Sequence, residues 1–381
     1  MKILFTGGGT GGHIFPIIAV AREMRKIQFS SSAKDMESLN FFYLGPKDDF
    51  AEILLSQEEI RVKSILAGKL RRYVTFSSLL QNFVDLLFKT PIGFFQAFSH
   101  IFFTSPDFIF SKGGYGSLPA VFAGRILGIP IFLHESDSAP GLANRILSRS
   151  ASIIFTSFPK TANFPASKTI LVGNPIRREI LDGSVEEAQR IFSTKRNKPL
   201  ILILGGSQGA QRINDVILDI FSELLNNFEV IHQCGEQNFK GVRAESNIIM
   251  NKEQEPRYHL YPFLREEELK HALKACDLII SRAGSSSIFE IAAVGKPSIL
   301  IPLPEAAQNH QAKNSLIYAQ GGAALLIEEA NLTHNFFLGK LKYLFSNPGE
   351  LERMGELALK FSKPDAARII AQDIIGYLFG E

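Results

Sequence analysis

Short apolar runs alternate with longer stretches in which apolar residues recur every three or four positions, and glycine turns separate the two along the whole chain. That alternation is the pattern of βαβ units, in which helices cover both faces of a parallel sheet. It predicts strands over residues 2–6, 41–44, 108–111 and 131–134 in the first half, and over 200–204, 229–233, 278–281 and 298–301 in the second. Most are nearly continuous apolar runs, as strands buried on both faces should be.

The halves also repeat one another. Pro106-Asp107-Phe108-Ile109-Phe110-Ser111-Lys112-Gly113-Gly114 matches Cys276-Asp277-Leu278-Ile279-Ile280-Ser281-Arg282-Ala283-Gly284 in pattern. Each is followed by a helical stretch, a Gly-x-Pro turn (Gly128 to Pro130, Gly295 to Pro297) and another apolar strand. Each half opens with a strand running into a glycine loop, at 7–12 and at 205–209. Two Rossmann-like domains are therefore expected. Pro159, Pro165 and Pro175 interrupt the patterns and put the boundary near 164–175, giving a first domain over 1–175 and a second from 176. Ligands of such sheets bind beyond the carboxyl ends of the strands, so a cleft between the domains is the expected site.

A chain of 381 residues has room for two domains, and 45% hydrophobic against 21% charged residues excludes a disordered protein. A net charge of +3 carries no global sign of a nucleic-acid partner. The charge is uneven, with 17 basic and 12 acidic side chains in residues 1–165, so the first half is the basic one. Cys234 and Cys276 fit neither a disulfide framework nor a zinc spacing and read as small buried hydrophobes. Residues 1–7 pass directly into strand and loop, so no signal peptide and a cytoplasmic location are expected. The apolar stretch between Lys89 and Asp107 is broken by Pro91, Gln96, Ser99, His100 and Pro106, which argues against a transmembrane helix.

The first loop, Gly7-Gly8-Gly9-Thr10-Gly11-Gly12-His13, lies between a strand and a helix. Backbone amides there can face a diphosphate or a developing oxyanion, and glycine permits the approach. Gly7, Gly9 and Gly12 satisfy G-x-G-x-x-G, but the acidic residue expected about twenty positions on is missing from 28–33, which disfavours a nicotinamide dinucleotide. His13 closes the loop as either a neutral base or a turn cap. The second loop, Gly205-Gly206-Ser207-Gln208-Gly209-Ala210, repeats the arrangement, with Ser207 able to donate to phosphate. Arg177 reads either as a bidentate diphosphate donor or as a solvated surface residue. Glu290 could accept from a ribose diol or pair with a basic neighbour. Downstream, Gln308, Asn309, His310 and Gln311 offer the mixed donors and acceptors that sugar hydroxyls need.

In their order along the chain, Gly8-Gly9-Thr10-Gly11-Gly12-His13-Ile14-Phe15-Pro16, Gly113-Gly114-Tyr115, His134-Glu135, Gly173-Asn174-Pro175-Ile176-Arg177, the second glycine loop, Glu290-Ile291-Ala292-Ala293 and Asn309-His310-Gln311 resemble the peptidoglycan N-acetylglucosaminyltransferases of glycosyltransferase family 28. The likeness runs from Lys2 to Pro364-Asp365-Ala366. It implies an α/β, GT-B fold of two doubly wound Rossmann-like domains, the second over 176–364, with a C-terminal helix within 365–381 returning to the first. It further implies inverting transfer of N-acetylglucosamine (GlcNAc) from UDP-GlcNAc to the 4-hydroxyl of the muramoyl unit of undecaprenyl-linked lipid I, giving lipid II. No cofactor is implied, and protein partners are left open.

Carried over residue by residue, the resemblance places Ser207, Gln208 and Arg177 on the diphosphate with Gly209 in the same loop, Leu264 beside uracil, Glu290 on ribose, and His310 and Gln311 near the sugar. Thr10, Gly11, Gly12 and His13 would face the acceptor. Where the family has Gln-Asn after His-Glu, this chain has Ser136-Asp137, so Asp137 reads either as a base or as a weakened acceptor contact. Inversion requires one displacement, in which a base takes the acceptor proton while loop amides, Ser207 and Arg177 stabilise the departing UDP. There is no D-x-D triplet to hold a metal, and none is expected. His13 is the first candidate for the base and Asp137 the second.

Between Arg61 and Thr104, six basic residues and one acidic residue are interleaved with eight phenylalanines. Phe76, Leu79, Leu80, Phe83, Leu86 and Leu87 recur at helical spacing just after Lys69, Arg71 and Arg72. The pattern suits an interfacial element on an anionic membrane surface, or a stripe packed on the core. A lipid-linked substrate favours the first, and with it a peripheral protein on the cytoplasmic face of the inner membrane. Competing readings are a UDP-GlcNAc 2-epimerase, another lipid glycosyltransferase, and a nucleotide-sugar-binding subunit without turnover.

Overall fold

The computed structural model describes the chain apart from residues 9–10, 31–37, 69–75, 160, 162–163, 207–208 and 380–381. It divides into two units, Met1–Arg177 with Pro364–Glu381, and Arg178–Lys363. Among the described residues the first unit has seven strands: β1 (Lys2–Thr6), β2 (Asn40–Gly45), β3 (Arg61–Ser64), β4 (Phe108–Ser111), β5 (Ile131–Glu135), β6 (Ile153–Thr156) and β7 (Thr169–Leu171). Their order in the sheet is β3-β2-β1-β4-β5-β6-β7. The second unit has six: β8 (Leu200–Leu204), β9 (Glu229–Gln233), β10 (Tyr258–Tyr261), β11 (Leu278–Ser281), β12 (Ser298–Leu300) and β13 (Ala324–Leu326), in the order β10-β9-β8-β11-β12-β13. Neighbouring strands pair in parallel throughout.

The eight strands expected from apolar runs are present. Of the other five, β3, β7, β10 and β13 are sheet edges, where one side lacks a partner strand and polar residues are tolerated. The first helix, Gly11–Ser30, is long enough to delay β2 to Asn40. Beyond β2 the first acidic residue, Asp48, caps the next helix by accepting from the Ala51 amide at 2.9 Å.

The repeat has a physical basis. Asp107 Oδ2 accepts from the Lys2 amide at 2.7 Å, and Asp277 Oδ2 accepts from the Leu200 amide at 2.7 Å, so each aspartate ties the start of β1 or β8 to the strand beside it. The helices Leu118–Ile126 and Ser285–Ala293 end alike. Gly128 (φ 73°) and Gly295 (φ 65°) turn left-handed, while Ile129 N donates to Gly124 O and Lys296 N to Ile291 O.

Each unit has its own core. In the first, Phe5, Phe41, Phe108, Phe110 and Phe132 pack with Ile14 and Ile17 of the first helix. The last helix, Ala366–Phe379, packs on that same helix and adds Ile370, Ala371 and Ile374 to the cluster. Cys234 and Cys276 are buried, and burial pushes their thiols up to about 11 and about 12.

Candidate active site

In each sheet the order reverses direction beside the first strand, between β1 and β4 and between β8 and β11. Loops leaving the carboxyl ends there splay apart and make room for ligands. The segments after β1, β4 and β5 lead to His13, Lys112 and Asp137; those after β8, β11 and β12 lead to Gly209, Glu290 and His310.

His13 sits half-buried in the first turn of its helix, which holds no acidic residue. A methyl group on Gly8 would come within 3.1 Å of its Nδ1, and one on Gly114 within 3.3 Å of its Nε2. The two glycine loops therefore close on the imidazole. Gly114 adopts φ 80°, ψ 167°, a region essentially reserved for glycine. The buried Tyr43 hydroxyl donates towards the carbonyls of Gly7 at 3.2 Å and Gly8 at 3.4 Å, and burial raises its pKa so that it stays a donor. Gly11 and Gly12 open the helix beside His13, whereas Thr10 lies outside the described residues.

Behind this loop lies a cluster of buried polar side chains. Lys112 is 2% exposed, and its Nζ is 2.6 Å from His134 Nδ1, 2.5 Å from Ser136 Oγ and 3.4 Å from Asn174 Oδ1. His134 Nε2 lies 3.0 Å from the Gly173 carbonyl, which assigns the ring proton to Nε2 and makes Nδ1 the acceptor from Lys112. Burial, then the Lys112 charge, hold His134 well below the usual imidazole range, so it is neutral.

Glu135 accepts from the Asp137 amide (2.9 Å), the Gly141 amide (3.1 Å) and Asn144 Nδ2 (2.8 Å). Burial pushes it up to about 7, with Asp137 adding to the rise and Lys112 opposing it. Burial likewise pulls Lys112 down to about 7, against the attraction of Glu135 and Asp137. Asp137 itself is half-buried. Sequence reasoning did not single out Lys112. Its signal was an ammonium set between a buried strand and two glycines, aligned in the repeat with Arg282.

Arg177 is 6% exposed, with its guanidinium carbon 4.1 Å from the centre of the Phe15 ring. This is a cation–π contact, and it removes the solvated-surface reading.

In the second unit, Gly206 and Gly209 have φ of 80° and 79°, and a side chain on Gly209 would strike Asn238 and the Cys234 carbonyl. Ser207 and Gln208, the expected diphosphate contacts, lie outside the described residues. The helix that follows, Gln211–Asp219, has neither a side-chain cap nor an acidic residue in its first turn, which suits an anion. The helix Ser285–Ala293 starts in the same way and carries Glu290, half-buried. Arg282 donates to the carbonyls of Ile301 (3.2 Å) and Pro302 (3.4 Å) and pairs with Glu329, bracing the loops after β11 and β12.

Gln308 and Asn309 are both left-handed, φ 58° and 56°, immediately before the helix His310–Gln320. Strain of this kind gathers where a loop is shaped for a ligand. His310 and Gln311 are half-buried at the start of that helix, and Gln311 Oε1 accepts from the Leu303 amide at 3.0 Å, fixing the loop after β12. The Leu264 side chain, 1% exposed, belongs to the core, and its amide donates to Gln233 Oε1 at 3.1 Å.

Residues 3–156 match the glycosyltransferase family 28 N-terminal domain, and residues 200–370 the glycosyltransferase family 28 C-terminal domain. A Clostridium tetani protein named UDP-N-acetylglucosamine–N-acetylmuramyl-(pentapeptide) pyrophosphoryl-undecaprenol N-acetylglucosamine transferase is 36% identical over 348 residues, 91% of this chain and 90% of its own length. The chain belongs to glycosyltransferase family 28. Among solved structures of the fold, Acinetobacter baumannii MurG aligns with a TM-score of 0.72 and 26% identity over 98% of this chain and 99% of its own. A UDP-GlcNAc 2-epimerase from Neisseria meningitidis, bound to UDP-GlcNAc, aligns with a TM-score of 0.66 at 14% identity over 98% of this chain and 100% of its own, a likeness of fold alone. For a family 28 chain, the two parallel sheets are the architecture that the motifs implied, and the enzyme is a hexosyltransferase.

Proposed function

We propose that the chain transfers GlcNAc from UDP-GlcNAc, with inversion, to the 4-hydroxyl of the muramoyl unit of lipid I, producing lipid II. The observation that carries this is the 36% identity, spread over 91% of the chain, to a relative named for that transfer. The first unit takes the acceptor and the second the donor. His13 is the base in this reading, held by Gly8 and Gly114, with Asp137 as the second candidate. Departing UDP gains negative charge, which the helix N-terminus at Gln211, the glycine-loop amides and Arg177 stabilise. Glu290 holds the ribose diol, and His310 and Gln311 lie by the sugar.

The test is UDP release from UDP-GlcNAc with and without a short-chain lipid I analogue, for the wild type, His13→Ala and Asp137→Asn. Acceptor-dependent release is expected, abolished in the variant that lacks the base. Acceptor-independent release, or appearance of an epimer, would refute the transferase reading.

The protein works from the surface of the anionic, cytoplasmic leaflet in the same reading. Leu80, Phe83, Leu87 and Phe88 are each more than half exposed, and on the helix Thr90–Thr104 Phe95 and Phe103 reach 70% and 80%. Exposed phenylalanines in such number favour an interface over a core stripe. Lys69, Arg71 and Arg72 lie outside the described residues. Among the described residues no helix is long and apolar enough to cross a membrane. Sedimentation with phosphatidylglycerol vesicles should fall with salt, and again on changing Lys69, Arg71 and Arg72 to Glu; unchanged binding in those variants would exclude the electrostatic part.

A further inference from the structure

We propose that Lys112 is a positioning residue for the acceptor: its buried amine ties the loop after β5 to the loop after β4 and offsets the carboxylates of Glu135 and Asp137, setting the place and charge of Asp137 beside the acceptor hydroxyl. The inference rests on the transferase reading and names a residue which that reading does not use.

An amine buried to 2% exposure is kept only where polar partners repay its lost hydration. Lys112 has such partners in His134 and Ser136, at the end of β5, and in Asn174, beyond β7. Arg282 occupies the equivalent place in the repeat, yet its partners are carbonyls and Glu329, which make it a brace. Lys112 instead meets the side chains of the loop that bears Asp137.

Charge explains why an amine suits this place. Glu135 and Asp137 lie two residues apart and raise each other's electrostatic cost. Glu135 is pinned by three donors, so its carboxylate has one orientation. Asp137 stands where the family pattern carries a neutral amide, and Lys112 is the cation both carboxylates feel. A short Ser136 leaves room for the amine at 2.5 Å from its hydroxyl. Residues 136 and 137, where the chain departs from the family pattern, thus both bear on Lys112.

A double-mutant cycle tests this in the full chain, with Lys112→Met, Asp137→Asn and the pair, assayed with UDP-GlcNAc and the short-chain lipid I analogue. Lys112→Met should lower kcat/KM for the acceptor by about tenfold while KM for UDP-GlcNAc stays within about twofold. Asp137→Asn should cost about tenfold less in the Lys112→Met background than in the wild type. Additive effects, or an equal loss in donor KM, would overturn the proposal. Should Lys112→Met fail to fold, Ser136→Ala removes the 2.5 Å contact alone and should lower acceptor kcat/KM by about threefold at unchanged donor KM; wild-type kinetics there would also overturn it. An inactive wild type would bring down the transferase reading and this inference together, whereas an active wild type with additive variants refutes the inference only.

Discussion

Replacing Gly114 by alanine tests whether His13 is seated by backbone. At φ 80°, ψ 167° a non-glycine residue costs about 1–3 kcal/mol, because its Cβ meets its own backbone whatever surrounds it. The surroundings add to this, since the new methyl group would lie 3.3 Å from His13 Nε2 and 3.4 Å from the Gly8 amide nitrogen. On its other side the imidazole faces Gly8, where an added methyl group would likewise come within 3.1 Å of Nδ1. Either the ring or the loop must shift by a few tenths of an ångström. A misplacement of about 1 Å costs around a hundredfold in rate, so a smaller shift should lower kcat/KM by about tenfold.

Gly128→Ala is the control. Gly128 also has a positive φ, 73°, but no atom lies within 4 Å of its added methyl group. It should lose about 1–2 kcal/mol of stability from left-handed backbone alone, with unchanged kinetics. Thermal unfolding reads the first quantity, at about 2–4 °C for each kcal/mol in a unit of this size. Initial rates of acceptor-dependent UDP release read the second. If Gly114→Ala keeps wild-type kcat/KM while losing as much stability as Gly128→Ala, His13 is not held in the way described, and its case as the base weakens with it.

Asp107→Asn and Asp277→Asn should each cost about 1 kcal/mol in urea unfolding, since each replaces a charge-assisted bond of 2.7 Å to a strand amide with a neutral one, and the two losses should be similar because the motif repeats. Burial holds His232 down at about 3, so between 3 and the ordinary 6.5 the unfolded chain binds a proton that the folded one excludes. Stability of the second unit should therefore fall as pH drops through that window, by up to about 1.4 kcal/mol per pH unit, and a His232→Gln variant should show a shallower slope. Glu290→Gln should raise KM for UDP-GlcNAc by about tenfold with a smaller effect on the acceptor, measured by varying each substrate at saturating levels of the other; an unchanged donor KM would remove Glu290 from the ribose.

The legible part of this fold is the part that physics writes locally. Inner strands such as Leu200–Leu204 are apolar throughout because both faces are covered, whereas edge strands such as Arg61–Ser64 carry charges and leave no comparable trace. The Gly-x-Pro turns could be read from sequence because a left-handed residue is needed at Gly128 and Gly295. Glycine loops and His13 were visible for the same reason, as backbone requirements narrow the choice of residue. The buried state of Arg177 was not visible, since its contact with Phe15 joins positions 162 residues apart in the chain.

Lys112 and Arg282 show why a repeat reveals scaffold before chemistry. Both follow the fourth residue of a buried strand at a switch point, and the sequence presents them as equivalent cations. Their environments then separate them. Arg282 spends its donors on carbonyls and on Glu329, an arrangement that any loop needing a brace could use. Lys112 lies against His134 and Ser136, with Asp137 in Coulombic reach, so its removal disturbs the charge of the loop expected to meet the acceptor. The same strand, turn and cation occur in both units, and what each cation meets at the next strand, the His134 side chain in one and the Ile301 and Pro302 carbonyls in the other, distinguishes the brace from the cation we assign to positioning.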